Sequence, residues 1–388
     1  MVGFNSRKNP LNQATSQHVP TCVRCGEPLA VNEEGVAPVY CDRCAGQAVS
    51  RARKGMNTGS LRDFPVTTTL IAINLLVFVG MVLTSDSPTQ AFIEPSNADL
   101  IRWGVNNRFL TLGGDYWRLL TANFLHIGIV HIAFNMWCMW RLGRLSERYF
   151  GRWSTAAIYV LTGVGASLLS ITYSINHQPG RLSAGASGAI FGIAGALIAG
   201  LKFGNLSIAE GERRAVLSSV ILFAGFNFLI GFGYLGFGGG IDNMAHLGGF
   251  ASGLLIGVPL ATSLTRSAGV NRVIQVSTLA ITTLLFAAAG AELVNSKGHQ
   301  SRIVRAEWSL EDKDYPAAIR VLEKDTAAVP GDAEALALLG VAYALNNEPA
   351  KAIVAYKKAL ELDPSLTEVQ DSLRELQGNA PASQPPSK

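Results

Sequence analysis

Apolar residues are concentrated in seven runs between residues 66 and 293 of the chain. Each run is about 20 residues long, the length of a helix that crosses the roughly 30 Å hydrocarbon core of a bilayer. The predicted spans are 66–84, 119–140, 153–175, 185–203, 215–235, 243–264 and 273–293. The segment 85–117 is too long for a simple turn and mixes aromatic with polar residues, so we expect it to be partly structured at the membrane surface.

The positions of Lys and Arg predict how these spans are oriented. Basic residues precede the first span and occupy the connections after the second, fourth and sixth spans: Arg51, Arg53, Lys54, Arg62, Arg141, Arg144, Arg148, Arg152, Lys202, Arg213, Arg214, Arg266 and Arg272. Because short cytoplasmic connections carry an excess of basic residues, the N-terminus is predicted to be cytoplasmic. Seven spans then place the C-terminus outside. The sequence predicts a multi-pass integral membrane protein, most simply of a bacterial inner membrane.

Composition agrees with a chain that lies largely in lipid. Of the 388 residues, 48% are hydrophobic and 15% are charged, and the mean hydropathy is +0.25. Soluble domains carry about 25% charged residues, so an ordinary soluble enzyme is excluded. The formal net charge of +4 is too small to indicate a nucleic-acid partner, and we expect none.

Four of the five cysteines form two CxxC pairs ahead of the first span. The pair Cys22 and Cys25 is separated by 15 residues from the pair Cys41 and Cys44, a spacing typical of a four-thiolate zinc site. The alternative of disulfide bonds is disfavoured because cytoplasmic thiols stay reduced. We predict a structural zinc ribbon at 20–47, which leaves no open coordination position for catalysis.

A helical repeat with a period of 34 residues follows the last span. Similar residues recur at that spacing, as in Ala318 and Ala352 or Pro330 and Pro364. The pattern resembles tetratricopeptide repeats, and two units with a C-terminal helix form a marginal array. The resemblance implies a surface at 299–377 that binds a protein partner. The alternative is a short helical hairpin that merely covers the seventh span.

Polar residues inside membrane spans are costly, so each one is a functional candidate. Ser187 begins the fourth span and His246 the sixth, which places both near the outer face. A serine hydroxyl needs a base to become a nucleophile, and an imidazole suits that task near neutral pH. His131 and Asn135, four residues apart on one helix face, are candidate oxyanion donors together with the Ser187 amide. No Asp or Glu lies in these spans, which favours a dyad over a triad.

Small residues recur at four-residue spacing on the fourth and sixth predicted spans. The two ridges are Ala184, Gly188, Gly192, Ala196 and Gly200 on the fourth, and Gly249, Gly253 and Gly257 on the sixth. Such ridges let helix backbones approach closely in lipid. We therefore predict that the helices carrying Ser187 and His246 pack against each other.

Four motifs together resemble the rhomboid family of intramembrane serine proteases over about 66–264. They are WR at 117–118, HxxxxHxxxN at 126–135, GxSG at 185–188 and AHxxGxxxG from 245. The resemblance implies an all-α polytopic membrane protein with a six-helix core, to which a seventh C-terminal transmembrane helix is added. It also implies a serine endopeptidase that cleaves other membrane proteins in or near their transmembrane segments and needs no catalytic cofactor.

The resemblance also implies individual roles at the site. Ser187 is the implied nucleophile, His246 the general base, and His131 with Asn135 the oxyanion stabilisers. Four further residues are implied to support them: Arg118, His126, Gly185 and Phe191. Of these, Phe191 lies where the family often has an aromatic ring packing on the histidine.

The sequence also predicts the division of the chain. The segments are a disordered N-terminus (1–19), the zinc-ribbon-like module (20–47), a basic linker (48–65), the rhomboid core (66–264), the seventh helix (265–293), the repeat domain (299–377) and a disordered tail (378–388). The predicted partners are transmembrane protein substrates, the lipid bilayer and a protein bound by the repeats. The alternative functions are a catalytically inactive rhomboid-like protein that binds membrane clients and a membrane scaffold, and both predict an unreactive Ser187.

Overall fold

The computed structural model describes residues 20–22, 25–30, 41–44, 61–177, 180–204, 210–231, 241–263 and 268–378. The chain divides into two compact units, 1–60 with 207–216 and 61–206 with 217–388. The predicted disordered N-terminus, most of the basic linker and all but the first residue of the predicted tail lie outside the described residues. The described part is almost entirely helical, and two isolated bridges are the strand-like pairings found in it.

The helices follow the apolar pattern of the sequence. The first is α1 (Pro65–Leu83). The residues from 84 to 128, called the first connecting segment, contain α2 (Pro88–Ile93), α3 (Asn97–Trp103), α4 (Arg108–Leu112) and α5 (Arg118–Thr121). The next five are α6 (Ile129–Phe150), α7 (Arg152–Ser174), α8 (Ser187–Phe203), α9 (Glu210–Gly231) and α10 (Asn243–Ser263). The last five are α11 (Ala268–Glu311), α12 (Tyr315–Ala328), α13 (Ala333–Leu345), α14 (Pro349–Leu362) and α15 (Thr367–Leu376). Helices α2 to α4 confirm that 85–117 is partly structured.

Several of these helices are suited to a bilayer, and the chain is an integral membrane protein. Among the described residues, four are long and apolar enough to cross a membrane: α1, α7, α10 and residues 269–311 of α11. A fifth candidate is a bent pair, Arg118–Phe124 and Ile129–Phe150, whose two halves meet at 92°. Helix α8 has 17 residues and is shorter than an average span. The count of seven spans stays a prediction.

The second predicted span is not one straight helix. The backbone is extended at Leu125 and has a φ of +120° at Gly128, so α6 begins only after this break. A β-carbon at Gly128 would lie 2.0 Å from the carbonyl oxygen of Ile93, which shows how closely the break packs on α2. His126 therefore lies in a non-helical turn ahead of α6. A run of apolar residues does not by itself reveal this bend.

Helices α8 and α10 approach each other through their small residues. A β-carbon on Gly249 would lie 1.9 Å from the carbonyl oxygen of Gly188, and one on Gly253 would lie 2.0 Å from that of Gly192. A side chain at either position would force the two backbones apart. The predicted contact between the two ridges is confirmed, and its register brings the N-terminal ends of α8 and α10 together.

A carboxylate on α6 caps the N-terminus of α1. Glu147 is buried and accepts hydrogen bonds from the backbone amides of Val66 at 3.1 Å and Thr67 at 2.9 Å, and from the Thr67 hydroxyl at 2.9 Å. The first amides of a helix have no partner within it, and a negative charge at that end is favourable. The contact fixes the start of α1 against α6.

Helix α11 is 44 residues long and joins the predicted seventh span to the repeat domain without interruption. The predicted boundary between 293 and 299 falls inside this helix, where the sequence has no proline to end it. The C-terminal half of α11 packs with α12 to α15 around one apolar core, which includes Ala318, Leu322 and Ala352. A β-carbon on Gly340 would lie 2.4 Å from the Tyr356 ring, so the repeat requires a small residue there.

Candidate active site

Ser187 and His246 lie within hydrogen-bond distance of each other. Ser187 is the first residue of α8, and His246 lies in the first turn of α10. The Nε2 atom of His246 is 2.9 Å from the Oγ atom of Ser187, the separation expected of a nucleophile and its base. The matched register of the two small-residue ridges brings these side chains together. His246 is buried, with 7% of its surface exposed.

The imidazole of His246 lies flat against Phe191. The two ring centroids are 4.3 Å apart, and the ring planes differ by 17°. Phe191 is itself buried and lies one helical turn after Ser187 on α8. The stacked ring limits rotation of the imidazole, so its Nε2 atom stays directed at the serine.

Gly185 lets His131 approach the serine. Its φ of +131° lies where residues with side chains are strained. A β-carbon at Gly185 would lie 2.8 Å from Cε1 and 3.0 Å from Nε2 of His131, and 3.6 Å from the Oγ atom of Ser187. The His131 ring and the serine hydroxyl therefore border the same small space, which any other residue at 185 would fill.

Candidate hydrogen-bond donors lie on α6 and at the start of α8. The Ile127 amide donates to Nδ1 of His131 at 3.4 Å, which places the proton of a neutral ring on Nε2. One turn later on α6, the buried Asn135 donates one amide hydrogen to the His131 carbonyl oxygen at 2.9 Å and keeps a second one. The Ser187 amide begins α8 and has no acceptor within its own helix.

His126 packs beside this group from the turn that precedes α6. It is fully buried, and its ring stands edge-on to that of His131 with the centroids 5.2 Å apart. The His126 ring thereby supports the orientation of the His131 ring.

Asp242 is a residue at this site that sequence reasoning missed. Its carboxylate accepts hydrogen bonds from the Ala245 amide at 3.0 Å and from the Ser170 hydroxyl at 2.5 Å, and its carbonyl oxygen accepts from the His246 amide at 3.1 Å. It therefore caps α10 and ties the turn that carries His246 to α7. The signal was an Asp immediately before a helix start, a preferred capping residue.

Arg118 is buried in the first connecting segment. Its Nε atom donates to the Asp115 carboxylate at 3.1 Å, and its Nη1 atom donates to the carbonyl oxygens of Ile101 at 2.8 Å and Val105 at 3.3 Å. The guanidinium also lies over the Trp117 ring, 4.6 Å from its centroid. Arg118 thus joins α3, the chain that follows it and α5.

The four N-terminal cysteines form a separate cluster in the first unit. The sulfur atoms of Cys22, Cys25, Cys41 and Cys44 all lie within 4.8 Å of one another, and those of Cys25 and Cys41 are 3.6 Å apart. A tetrahedral zinc ion with Zn–S bonds of about 2.3 Å places its sulfur ligands about 3.8 Å apart, so the donor set and its spacing fit. The cluster is compatible with a structural zinc site.

Two protein-family models match parts of the chain. The model described as Rhomboid domain matches residues 113–263, and the model described as Tetratricopeptide repeat matches residues 333–366. The first match contains Ser187, His246, His131 and Asn135, and the second lies within the predicted repeat domain.

Similar proteins include bacterial and plant relatives. Rhomboid protease AarA of Providencia stuartii is 30% identical over 216 residues, which cover 51% of this chain and 73% of that protein. RHOMBOID-like protein 5 of Arabidopsis thaliana is 35% identical over 212 residues, 49% of this chain and 66% of that protein. Rhomboid protease GluP of Bacillus subtilis (strain 168) is 29% identical over 296 residues, 76% of this chain and 54% of that protein. The chain thus spans about half the length of GluP.

Proposed function

The chain belongs to the rhomboid family, and we propose that it is an intramembrane serine endopeptidase that hydrolyses peptide bonds in or near transmembrane segments of other membrane proteins. The observation that carries the proposal is the 2.9 Å separation between Nε2 of His246 and Oγ of Ser187. The relatives named rhomboid proteases support this class of activity.

In the proposed reaction, the Ser187 hydroxyl attacks the scissile carbonyl carbon while Nε2 of His246 takes its proton. The carbonyl oxygen becomes an oxyanion, for which His131, Asn135 and the Ser187 amide supply donors. The C–N bond then breaks as His246 returns the proton to the leaving amine. Water attacks the resulting ester with His246 again as base, which releases the second product and restores the serine.

The alternative is an inactive rhomboid-like protein that binds membrane clients. Client binding requires neither a serine nor a histidine at these positions. The chain has both side chains, and they lie within hydrogen-bond distance of each other in a buried site that the His131 ring also borders. This combination favours the protease.

Covalent labelling tests the proposal without a known substrate. Purified protein in detergent is treated with a fluorophosphonate, which reacts with activated serines. We expect labelling of the wild type and of Ser252→Ala, which removes another buried hydroxyl on α10, and no labelling of Ser187→Ala. Absence of labelling in folded wild type would instead favour the client-binding protein.

We propose that Cys22, Cys25, Cys41 and Cys44 hold one structural zinc ion. We expect about one zinc ion per purified chain and loss of that zinc in Cys22→Ser. The matched control is Cys138→Ser, which replaces a free cysteine on α6 and is expected to keep the metal. Elemental analysis measures both. Equal zinc contents in the two variants would contradict this site.

We propose that the N-terminal unit is cytoplasmic and that the repeat domain lies outside, as the distribution of basic residues predicts. The repeats then lie on the same side as the Ser187 end of α8. A groove of about 430 Å³ in the repeat domain is lined by apolar residues, including Leu336, Leu339 and Val354, and by Lys351 and Lys358. This groove is our candidate for recruiting substrates through their external segments.

Reversing the groove charge tests recruitment. Lys358→Glu combined with Val354→Asp is expected to raise the KM for a client with an external segment about tenfold, the effect of losing one strong contact. Cleavage of a bare transmembrane peptide is expected to stay unchanged. Lys357→Glu repeats the lysine-to-glutamate change on the exposed surface of α14 outside the groove and serves as control; it alters the net charge by two, against three in the double variant. Equal KM values for all three proteins would contradict recruitment through this groove.

A further inference from the structure

Helix α11 contacts the first connecting segment through the side chains of Arg305 and Trp308, which lie beyond the predicted seventh span. The Trp308 ring stands edge-on to Phe109 of α4, with centroids 5.2 Å apart. The Nη1 atom of Arg305 donates to the Asp115 carboxylate at 3.0 Å and to the Gly113 carbonyl oxygen at 3.4 Å. Each partner lies in α4 or in the turn that follows it. The repeat domain thus packs on the first connecting segment through a charged and an aromatic contact.

The start of α4 is bonded to the segment that leads to Ser187. Asn106 and Ser183 form an antiparallel bridge, with N to O distances of 3.1 and 2.9 Å. The Asn107 side chain donates to the carbonyl oxygens of Gly180 and Arg181 at 3.3 Å each, and it also caps α4. A displacement of α4 therefore pulls directly on the backbone immediately before Ser187.

A second chain of contacts connects α11 with the residues ahead of Ser187, and it passes through the carboxylate that Arg305 contacts. Asp115 accepts hydrogen bonds from both Arg305 and Arg118, at 3.0 and 3.1 Å. Arg118 begins α5, and the next turn presents the carbonyl oxygen of Ala122 to the amide of Gly185 at 2.9 Å. Gly185 is the residue that brings His131 beside Ser187. Both chains of contacts end in the short segment 180–185, directly ahead of Ser187.

We propose that Arg305 and Trp308 are positioning residues for the active site: by holding α4 and Asp115 in place, they keep the backbone from 183 to 187 where His246 acts on Ser187. The inference rests on the proposed function. Neither residue touches the reacting atoms. Their effect arises because a nucleophile displaced by a fraction of an ångström from its base loses much of its reactivity.

The labelling rate of Ser187 tests this proposal in the full-length protein. A small fluorophosphonate needs no recruitment by the repeats, so its rate constant reports the active site itself. We expect Trp308→Ala and Arg305→Ala each to lower that rate constant about tenfold, as misplaced catalytic groups do. Trp308→Phe keeps a ring against Phe109 and is expected to stay close to wild type. Glu307→Ala, at an exposed residue between the two, is the matched control.

Two further measurements separate positioning from general destabilisation. With a bare transmembrane peptide, kcat is expected to fall in Trp308→Ala while KM stays constant, because the substrate site is untouched. Amide hydrogen exchange of the peptide 181–187 is expected to be faster in Trp308→Ala than in Glu307→Ala. If wild type is not labelled, the proposed function fails, and this exchange difference alone decides whether α11 holds the segment.

When wild type is labelled, the proposal is overturned if folded Trp308→Ala labels at the same rate, whether or not its exchange changes. It is also overturned if Trp308→Phe is as slow as Trp308→Ala, since the ring contact would then not be the cause. Should Trp308→Ala fail to fold, Phe109→Leu weakens the same contact from the other side and takes its place in each comparison.

Discussion

Ser187→Ala is expected to abolish cleavage of a transmembrane substrate, and His246→Ala to lower its rate by about a thousandfold or more. The serine provides the only oxygen that is both next to the candidate oxyanion donors and 2.9 Å from an imidazole among the described residues. Without His246, the hydroxyl keeps its proton and stays a poor nucleophile. Cleavage is measured with a fluorogenic transmembrane peptide in detergent or proteoliposomes.

Matched substitutions make this result specific. Ser252→Ala removes a hydroxyl that bonds only within α10 as far as the described contacts show, and it is expected to retain activity. His177→Ala removes an exposed imidazole that stacks on Tyr173 and is expected to behave likewise. Cleavage by Ser187→Ala at the wild-type rate, from a preparation free of other proteases, would contradict the assigned nucleophile.

Gly249→Ala is expected to destabilise the protein by about 3 kcal/mol and to abolish measurable activity. The added carbon would lie 1.9 Å from the carbonyl oxygen of Gly188, a backbone atom that moves only if α8 moves. Helices α8 and α10 must then move apart. The backbones are displaced at Gly188 and Gly249, one residue from Ser187 and three residues from His246. Stability and geometry are therefore lost together.

The control for this substitution is another helical glycine. Gly290→Ala places its carbon 3.8 Å from the nearest atom, on the Leu168 side chain, which is an ordinary contact. It is expected to unfold at or slightly above the wild-type temperature, because Ala favours the helix. Thermal unfolding in detergent and the fluorophosphonate rate are measured side by side. A Gly249→Ala protein with wild-type values of both would contradict the close approach of the two helices.

The sequence predicted those parts of the fold that have a local pattern. Apolar runs located the long helices, the small-residue ridges predicted the contact of α8 with α10, and the CxxC spacing predicted the cysteine cluster. Ser187 and His246 were selected because ionisable or nucleophilic groups are rare in membrane spans. Each of these signals comes either from residues that lie close together in the chain or from a polar residue that stands out in an apolar segment.

The contacts that escaped prediction join distant parts of the chain. Glu147 caps a helix 80 residues away, and Arg305 bonds to a carbonyl oxygen 192 residues away. The type and position of an acidic or basic residue in the sequence do not indicate its partner, because many residues of the same type are simply exposed to solvent. Asp242 escaped prediction for a simpler reason: it lies directly ahead of the sixth predicted span, and a partner carboxylate was expected only within the spans.

Helix α11 is unbroken, so it fixes the distance between the predicted seventh span and the repeat domain. Residues 294–311 extend the helix by about 27 Å at 1.5 Å per residue, and there is no flexible linker in this interval. A domain on a flexible tether samples many heights, and its local concentration falls with tether length. A domain joined to the membrane span by a continuous helix is held at a single height. In the proposed recruitment, the groove would therefore bind only those clients whose binding segment lies at the matching height, and the length of a client's segment would be a criterion of selection in addition to its sequence.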